Sequence, residues 1–167
     1  MASAVSAQRA DVRQDERQQF VTMTVAGKLL GLPILEVHDI VVPERITPVP
    51  LASPEVAGLI NLRGRIVTAI DMRRVLHVPA ADGGEGRRVG VTISYRGETY
   101  TLLVDSVGEV VELDADGFES NPPTLDPRWR HLSDGVFRLK DGLLVVLNAD
   151  RVMEGSQAPA ARKGGRG

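Results

Sequence analysis

The sequence predicts an all-β fold with short helices: two similar small barrels, built from an internal repeat and packed on each other. Three observations predict it. The chain repeats itself, its apolar residues alternate with period two, and each repeat is too short to be stable alone. Residues 58–76 align without a gap on residues 135–153, an offset of 77. Gly58/Gly135, Leu62/Leu139, Arg74/Arg151 and Val75/Val152 coincide. Upstream, residues 21–41 align on 91–111 at an offset of 70, with Gly27/Gly97, Leu32/Leu102, Val37/Val107 and Val41/Val111 in place. A unit of roughly 70 residues buries only about 60% of its surface. The two copies must therefore share an apolar seam.

The elements follow in order. Residues 1–17 alternate Arg9, Arg13 and Arg17 with acidic residues and carry no apolar run, so a disordered arm is expected. Val21, Met23 and Val25 point one way and Phe20, Thr22 and Thr24 the other. Ala26-Gly27-Lys28 then turns the chain, a hairpin signature. Ile34, Val37, Ile40 and Val41 have a spacing that suits either a short helix or a strand. Prolines at 43, 48, 50 and 54 hold the next segment extended or turned. Ile60 to Leu62 leads to a turn at Arg63-Gly64, and Ile66 to Ile70 returns. Asp71 and Asn148 stand where N-caps would open short helices, Asp71–Leu76 and Asn148–Met153.

The small-residue stretch 80–86 reads as a loop between copies. The second copy repeats the hairpins, turning at Arg96-Gly97 and at Lys140-Asp141-Gly142. Asn121 to Pro127 reads as irregular. The expected domain spans 18–154, with halves of about 18–82 and 87–154 whose strands can cross over. Residues 155–167 read as a flexible tail. Many short strands with glycine turns favour barrels over a parallel sheet.

Composition excludes several functions. Net charge is −2 and aromatics are 4% of the chain, which disfavours a nucleic-acid module. With zero cysteines there is no disulfide framework and no thiolate site. No apolar run approaches the ~20 residues of a membrane span. His38, His77 and His131 lack ligand spacing. No nucleophile elbow, phosphate loop or dinucleotide fingerprint is present. Asp114, Asp116 and Glu119 read as a solvated loop, not a Ca²⁺ site. Asp105 and Glu109, four apart, read as a solvated pair and not as an acid/base dyad. No catalytic residue, metal or cofactor is expected, which leaves a binding module; a small-ligand or enzymatic barrel is the alternative.

Differences between the copies locate the candidate site. The first copy's tip, Asn61 to Arg65, carries two cations without a nearby acid, whereas Lys140 and Asp141 compensate each other in the second. Glu36, His38 and Asp39 interrupt an otherwise apolar segment. Arg63 reads either as a solvated turn residue or as a recognition residue paired with Asp39. An exposed pair adds little stability, so its value would lie in orienting a surface. Ile34, Val37, Ile40 and Ile66 would then supply the contact energy, roughly 1.5–3 kcal/mol per buried side chain.

At these residues the chain resembles a known family. Val56 to Arg73, V-A-G-L-I-N-L-R-G-R-I-V-T-A-I-D-M-R, is similar to the hallmark stretch of the CheW-type chemotaxis coupling proteins. Ile34 to Val41 with Ile46 to Pro50 resembles the segment before it. Leu103 to Val110 and Gly135 to Met153 resemble the family's second half. The resemblance covers about residues 18–154. It implies two SH3-like barrels of about five strands each and no catalysis. It also implies a cytoplasmic adaptor, recruited to membrane-bound chemoreceptor arrays without inserting into the membrane. The implied partners are the cytoplasmic tip of methyl-accepting chemoreceptors and the regulatory domain of a CheA-type histidine kinase. The receptor-binding positions it implies are Ile34, Val37, Asp39, Gly58 and Arg63; the kinase-binding positions are Arg63 and Ile66. The chain departs from the family pattern at Asp39 (usually Glu), Thr68 (usually Pro) and Met72 (usually Leu).

Overall fold

Eleven strands and three short helices form in a computed structural model, which describes residues 17–79, 88–140 and 142–156. The expected arm, residues 1–17, lies outside the described residues up to 16, and Arg17 instead opens a strand; the loop at 80–86, residue 141 of the last turn and the expected tail from 157 onward lie outside them too. The first copy supplies β1 (Arg17–Val25), β2 (Lys28–Pro33), β3 (Asp39–Val41), β4 (Val56–Leu62), β5 (Arg65–Asp71) and α1 (Met72–Val75). The second supplies β6 (Val89–Tyr95), β7 (Glu98–Val104), β8 (Ser106–Asp114), β9 (Phe118–Glu119), α2 (Pro127–Leu132), β10 (Ser133–Leu139), β11 (Gly142–Leu147) and α3 (Ala149–Ser156).

Three hairpins turn through two residues that both have positive φ: Ala26-Gly27, Arg63-Gly64 and Arg96-Gly97. This geometry matches the right-handed twist of the flanking strands. The undecided segment 34–41 splits into a 3-10 turn at Ile34–Glu36 and strand β3. Asp71 accepts from Arg73 N at 3.0 Å and caps α1; Asn148 accepts from Arg151 N, also at 3.0 Å, at the start of α3. Both expected helices therefore form. Helix α3 runs to Ser156, two residues beyond the expected end of the folded domain at 154, and the Ser156 hydroxyl donates to Met153 O at 2.8 Å. Helix α2 corrects the reading of an irregular stretch ending at Pro127. Asp126 accepts from Arg128 N at 2.8 Å and Pro127 occupies the first turn, the asymmetry that opens helices.

The class is all-β, as expected, but the copies do not map onto the sheets. The first sheet has the order β8-β1-β2-β11-β10-β9 and the second β3-β6-β7-β5-β4. Each takes the upstream hairpin of one copy and the downstream hairpin of the other. A parallel pair joins them, β2 to β11 in the first sheet and β5 to β7 in the second. The two junctions share one register. Leu30 faces Val145, and the repeat offsets (30 + 70 = 100; 145 − 77 = 68) carry that pair onto Tyr100 and Thr68, which also face each other. Among the described residues each sheet's ladder is an open series and not a closed ring.

Packing explains the exchange. The largest apolar cluster lies between the sheets and draws on both: Met23, Val25, Leu30 and Val145 from the first, Ile70, Val91, Ile93 and Leu102 from the second. Val152 and Met153 of α3 and Trp129 and Leu132 of α2 complete it. The opposite faces carry smaller clusters, Phe20, Phe137, Leu144 and Val146 on the first sheet and Ile60, Val67, Ala69 and Leu103 on the second. Leu102 and Val104 thus face the seam while Leu103 faces outward into its own sheet's core. With both faces buried, these strands read as nearly continuous apolar runs.

The conserved spacing of Gly58 and Gly135 has a steric cause in both copies. Each sits at a register shift, in β4 and in β10. A Cβ on Gly58 would lie 2.3 Å from Thr47 O, where Thr47 crosses to pair with Leu59. A Cβ on Gly135 would lie 2.4 Å from Phe118 Cζ and 2.5 Å from Glu119 O, where β9 crosses. Close backbone approach requires glycine there.

Leu51 is strained. It follows Pro50 in a turn closed by Ala52 N donating to Val49 O at 3.3 Å, with φ at +66° and its side chain fully exposed. A left-handed conformation costs an L-residue roughly 1–2 kcal/mol, and no burial offsets that cost. Leu51→Asn should therefore raise stability by about 1 kcal/mol, since Asn tolerates this region. Urea unfolding of the two proteins checks it.

Candidate functional site

The charged pair that the sequence suggested forms across the open side of the second sheet. β3 and β4 are the two edges of that sheet. Asp39 opens β3, and Arg63 is the first residue of the turn after β4. Arg63 Nη1 donates to Asp39 Oδ2, while Ile40 N donates to Asp39 Oδ1 at 2.9 Å. The Arg63 guanidinium beside Asp39 holds its carboxyl below the usual carboxylate range, and the Ile40 amide acts in the same direction. An aspartate at this position thus reaches Arg63 without the longer glutamate arm. Of the two cations at the tip, Arg63 is paired after all.

Exposed apolar side chains lie on or beside the same strands. Ile40, Val42 and Ile66 are exposed, Ile66 to 64%. A groove of about 490 Å³ runs between the two edges, lined by Val42, Pro43, Ile60, Leu62 and Arg63, among others. Thr47, in the segment that follows β3, pairs with Leu59 of β4 through bonds of 2.9 and 2.8 Å.

The other candidate positions lie elsewhere. Ile34 and Val37 are half-buried and pack against the seam cluster. Their chain neighbours Leu35, Glu36 and His38, with Asp134 and Asp150 among others, line a second cleft of about 390 Å³ between the sheets. Burial, then Asp150 and Asp134, push the Glu36 carboxyl up. Gly58 is buried beneath Thr47 and presents no side chain. The structure therefore brings Asp39, Arg63 and Ile66 to one surface, sets Ile34 and Val37 on another, and gives Gly58 a packing role.

Sequence reasoning missed one clamp. Asp105, read as half of a solvated pair with Glu109, is gripped by Arg73: Nε donates to Oδ1 at 2.9 Å and Nη2 to Oδ2 at 2.6 Å. Ala26 N adds a third bond at 2.9 Å. The hydrogen bonds from Arg73 lower the Asp105 pKa most, against the opposing effect of burial. Glu109 contributes its backbone carbonyl to the Thr22 hydroxyl at 2.7 Å. Asp114 caps a 3-10 turn through Asp116 N at 2.9 Å, and Glu119 pairs with Arg138 at 3.0 Å. Among the described residues no cluster of His, Cys, Asp or Glu could hold a metal ion, and no helix is long and apolar enough to cross a membrane.

Known proteins share this architecture. The family model for the CheW-like domain matches residues 19–157. A chemotaxis protein CheW of Treponema pallidum is 25% identical over 146 residues, covering 86% of each chain. One from Bacillus subtilis is 24% identical over 152 residues, covering 91% of this chain and 96% of its own. The crystal structure of the scaffolding protein TtCheW from Thermoanaerobacter tengcongensis superposes with a TM-score of 0.72 at 27% identity. It covers 82% of this chain and 92% of its own. Proteins so named do not favour the alternative of a ligand-binding or enzymatic barrel. With most of its length matched by the family model, the chain belongs to the family of CheW-like domain proteins.

Proposed function

We propose that the chain is a non-catalytic chemotaxis adaptor that couples methyl-accepting chemoreceptors to a CheA-type histidine kinase. Family membership supports the adaptor role. One observation carries the choice of surface: the paired Arg63 and Asp39 on a sheet that also exposes Ile40, Val42 and Ile66. Burying those apolar side chains supplies contact energy, while the charges set register and reject wrong partners. Arg63 and Ile66 serve the regulatory domain of the kinase. Arg63 and Asp39, with Ile34 and Val37 near the cleft between the sheets, serve the cytoplasmic tip of the receptor, an apolar helical hairpin laid into a groove. Gly58 serves indirectly, by letting Thr47 cross and fixing the edge from which Arg63 projects. The protein acts in the cytoplasm, recruited to receptor arrays by these contacts.

Arg63→Asp places two carboxylates face to face on this surface. Affinity for the isolated kinase regulatory domain should fall at least about tenfold, with the unfolding midpoint little changed because the Arg63 side chain is exposed. Titration calorimetry reads the first and thermal unfolding the second. Equal affinity of wild type and variant would remove Arg63 from the kinase surface.

A further inference from the structure

We infer that Asn61 is a positioning residue: its side chain holds the Arg63-Gly64 turn so that the guanidinium is aimed across the groove at Asp39. The inference deepens the recognition role proposed for Arg63, but its geometric part stands apart from any partner.

Arg63 has a φ of +53° and Gly64 of +85°. Glycine takes such angles freely; arginine does not. The turn residues favoured at the first position are Asn, Asp and Gly. A bond across the turn adds to what holds Arg63 at these angles. Gly64 N donates to Asn61 Oδ1 at 2.9 Å, a side-chain bond spanning the turn. Asn side chains commonly stabilise turns by such local bonds.

Two comparisons within the molecule separate this bond from ordinary turn chemistry. The Ala26-Gly27 and Arg96-Gly97 turns have nearly the same angles, with φ of 53° and 52° at their first residues. The residues matching Asn61 there are Thr24 and Ser94, and neither side chain bonds to its turn among the described residues. The Ala26 amide is held by Asp105 instead, but the Arg96-Gly97 turn forms with no such side-chain bond among the described residues, so the hairpin itself does not require one. In the second copy the counterpart of Asn61 is Arg138 (61 + 77 = 138), which instead bonds Glu119 through Nε at 3.0 and 3.1 Å. The device belongs to the copy that carries the charged pair.

Both ends of the pair are fixed locally. Asp39 is held by its own neighbour, the Ile40 amide, and Arg63 by Asn61. Burial does not hold the arginine, whose side chain is 73% exposed, whereas the Asp39 side chain is 23% exposed. A flexible arginine on an open surface would spread over many rotamers. The turn bond limits where its backbone starts, and that decides how often the guanidinium meets Asp39.

The test reads Asp39 directly. In the full chain, carboxyl ¹³C NMR follows the Asp39 titration in wild type, Asn61→Ala, Arg63→Gln and the double variant. Asn61→Ala should move the Asp39 midpoint upward, toward an ordinary carboxylate, and speed exchange of the Gly64 amide. Arg63→Gln should move the midpoint upward too. In the double variant the Asn61 change should add nothing, because Asn61 acts through Arg63. An unmoved midpoint in Asn61→Ala, or additive shifts in the double variant, would overturn the inference. Kinase binding is read separately. If Arg63→Asp binds normally while the Asp39 midpoint still follows Asn61, the positioning stands and the proposed role of Arg63 falls.

Discussion

Gly58→Ala should cost about 3 kcal/mol of stability. Two effects add. The backbone at Gly58 has a φ of +148°, a region costly to any residue with a Cβ, on the order of 1–3 kcal/mol. The added methyl would also stand 2.3 Å from Thr47 O and 2.8 Å from Thr47 C. Those atoms are backbone and cannot rotate away, so β4 or the crossing segment must shift, an overpacking cost of roughly 1–3 kcal/mol. A shift there also moves the end of β4 that carries Arg63. Chemical denaturation should show the loss, and kinase affinity should fall with it even where the variant remains folded. A variant as stable as wild type would mean that the crossing of Thr47 over β4 is not close in solution.

Asp105→Ala should be comparably severe, about 3 kcal/mol. Arg73 would lose both bonds that its largely buried guanidinium donates to that carboxylate, and breaking a buried pair from one side costs roughly 3–5 kcal/mol. The partial exposure of both groups, 17% for Arg73 and 27% for Asp105, places the expectation at the low end. Asp105 also ties the β1–β2 turn, through Ala26 N, to helix α1, so it fastens one sheet to the other. The effect has a pH signature. Arg73 lowers the pKa of Asp105 in the folded state. Its contribution is thus fully present above the ordinary carboxylate value and is lost as pH falls through the lower folded one. The difference between wild type and Asp105→Asn should be constant from neutral pH to about pH 5 and should shrink below about pH 4. Urea midpoints measured across that range decide it. A gap that persists at pH 2 would assign the stabilisation to shape and not to charge.

The duplication, the hairpins and two of the three helices were legible because each has a local signature. The pairing between hairpins was not. Each upstream hairpin carries the same alternation, so either could add to either downstream hairpin, and a period of two does not say which. The shared register of the Leu30/Val145 and Tyr100/Thr68 junctions shows how equivalent the two options are. At the site, Asp39 and Arg63 stood out as charges in apolar surroundings. Asp105 did not, because its partner Arg73 lies 32 residues away and spacing pointed instead to Glu109. Helix α2 was signalled by Asp126-Pro127, an N-cap followed by a first-turn proline, but the neighbouring Pro122 and Pro123 masked it. Asn61 lay inside a recognised motif, which drew attention to the arginine and away from the residue that holds it.

The exchanged hairpins also govern how this chain comes together. Leu30 finds Val145 across 115 residues (145 − 30 = 115), so the join in the first sheet is a contact of high sequence separation. Such closures slow folding, because loop entropy is lost before the pairing compensates. Until β10 and β11 arrive, the β1–β2 hairpin keeps the face that carries Phe20 uncovered.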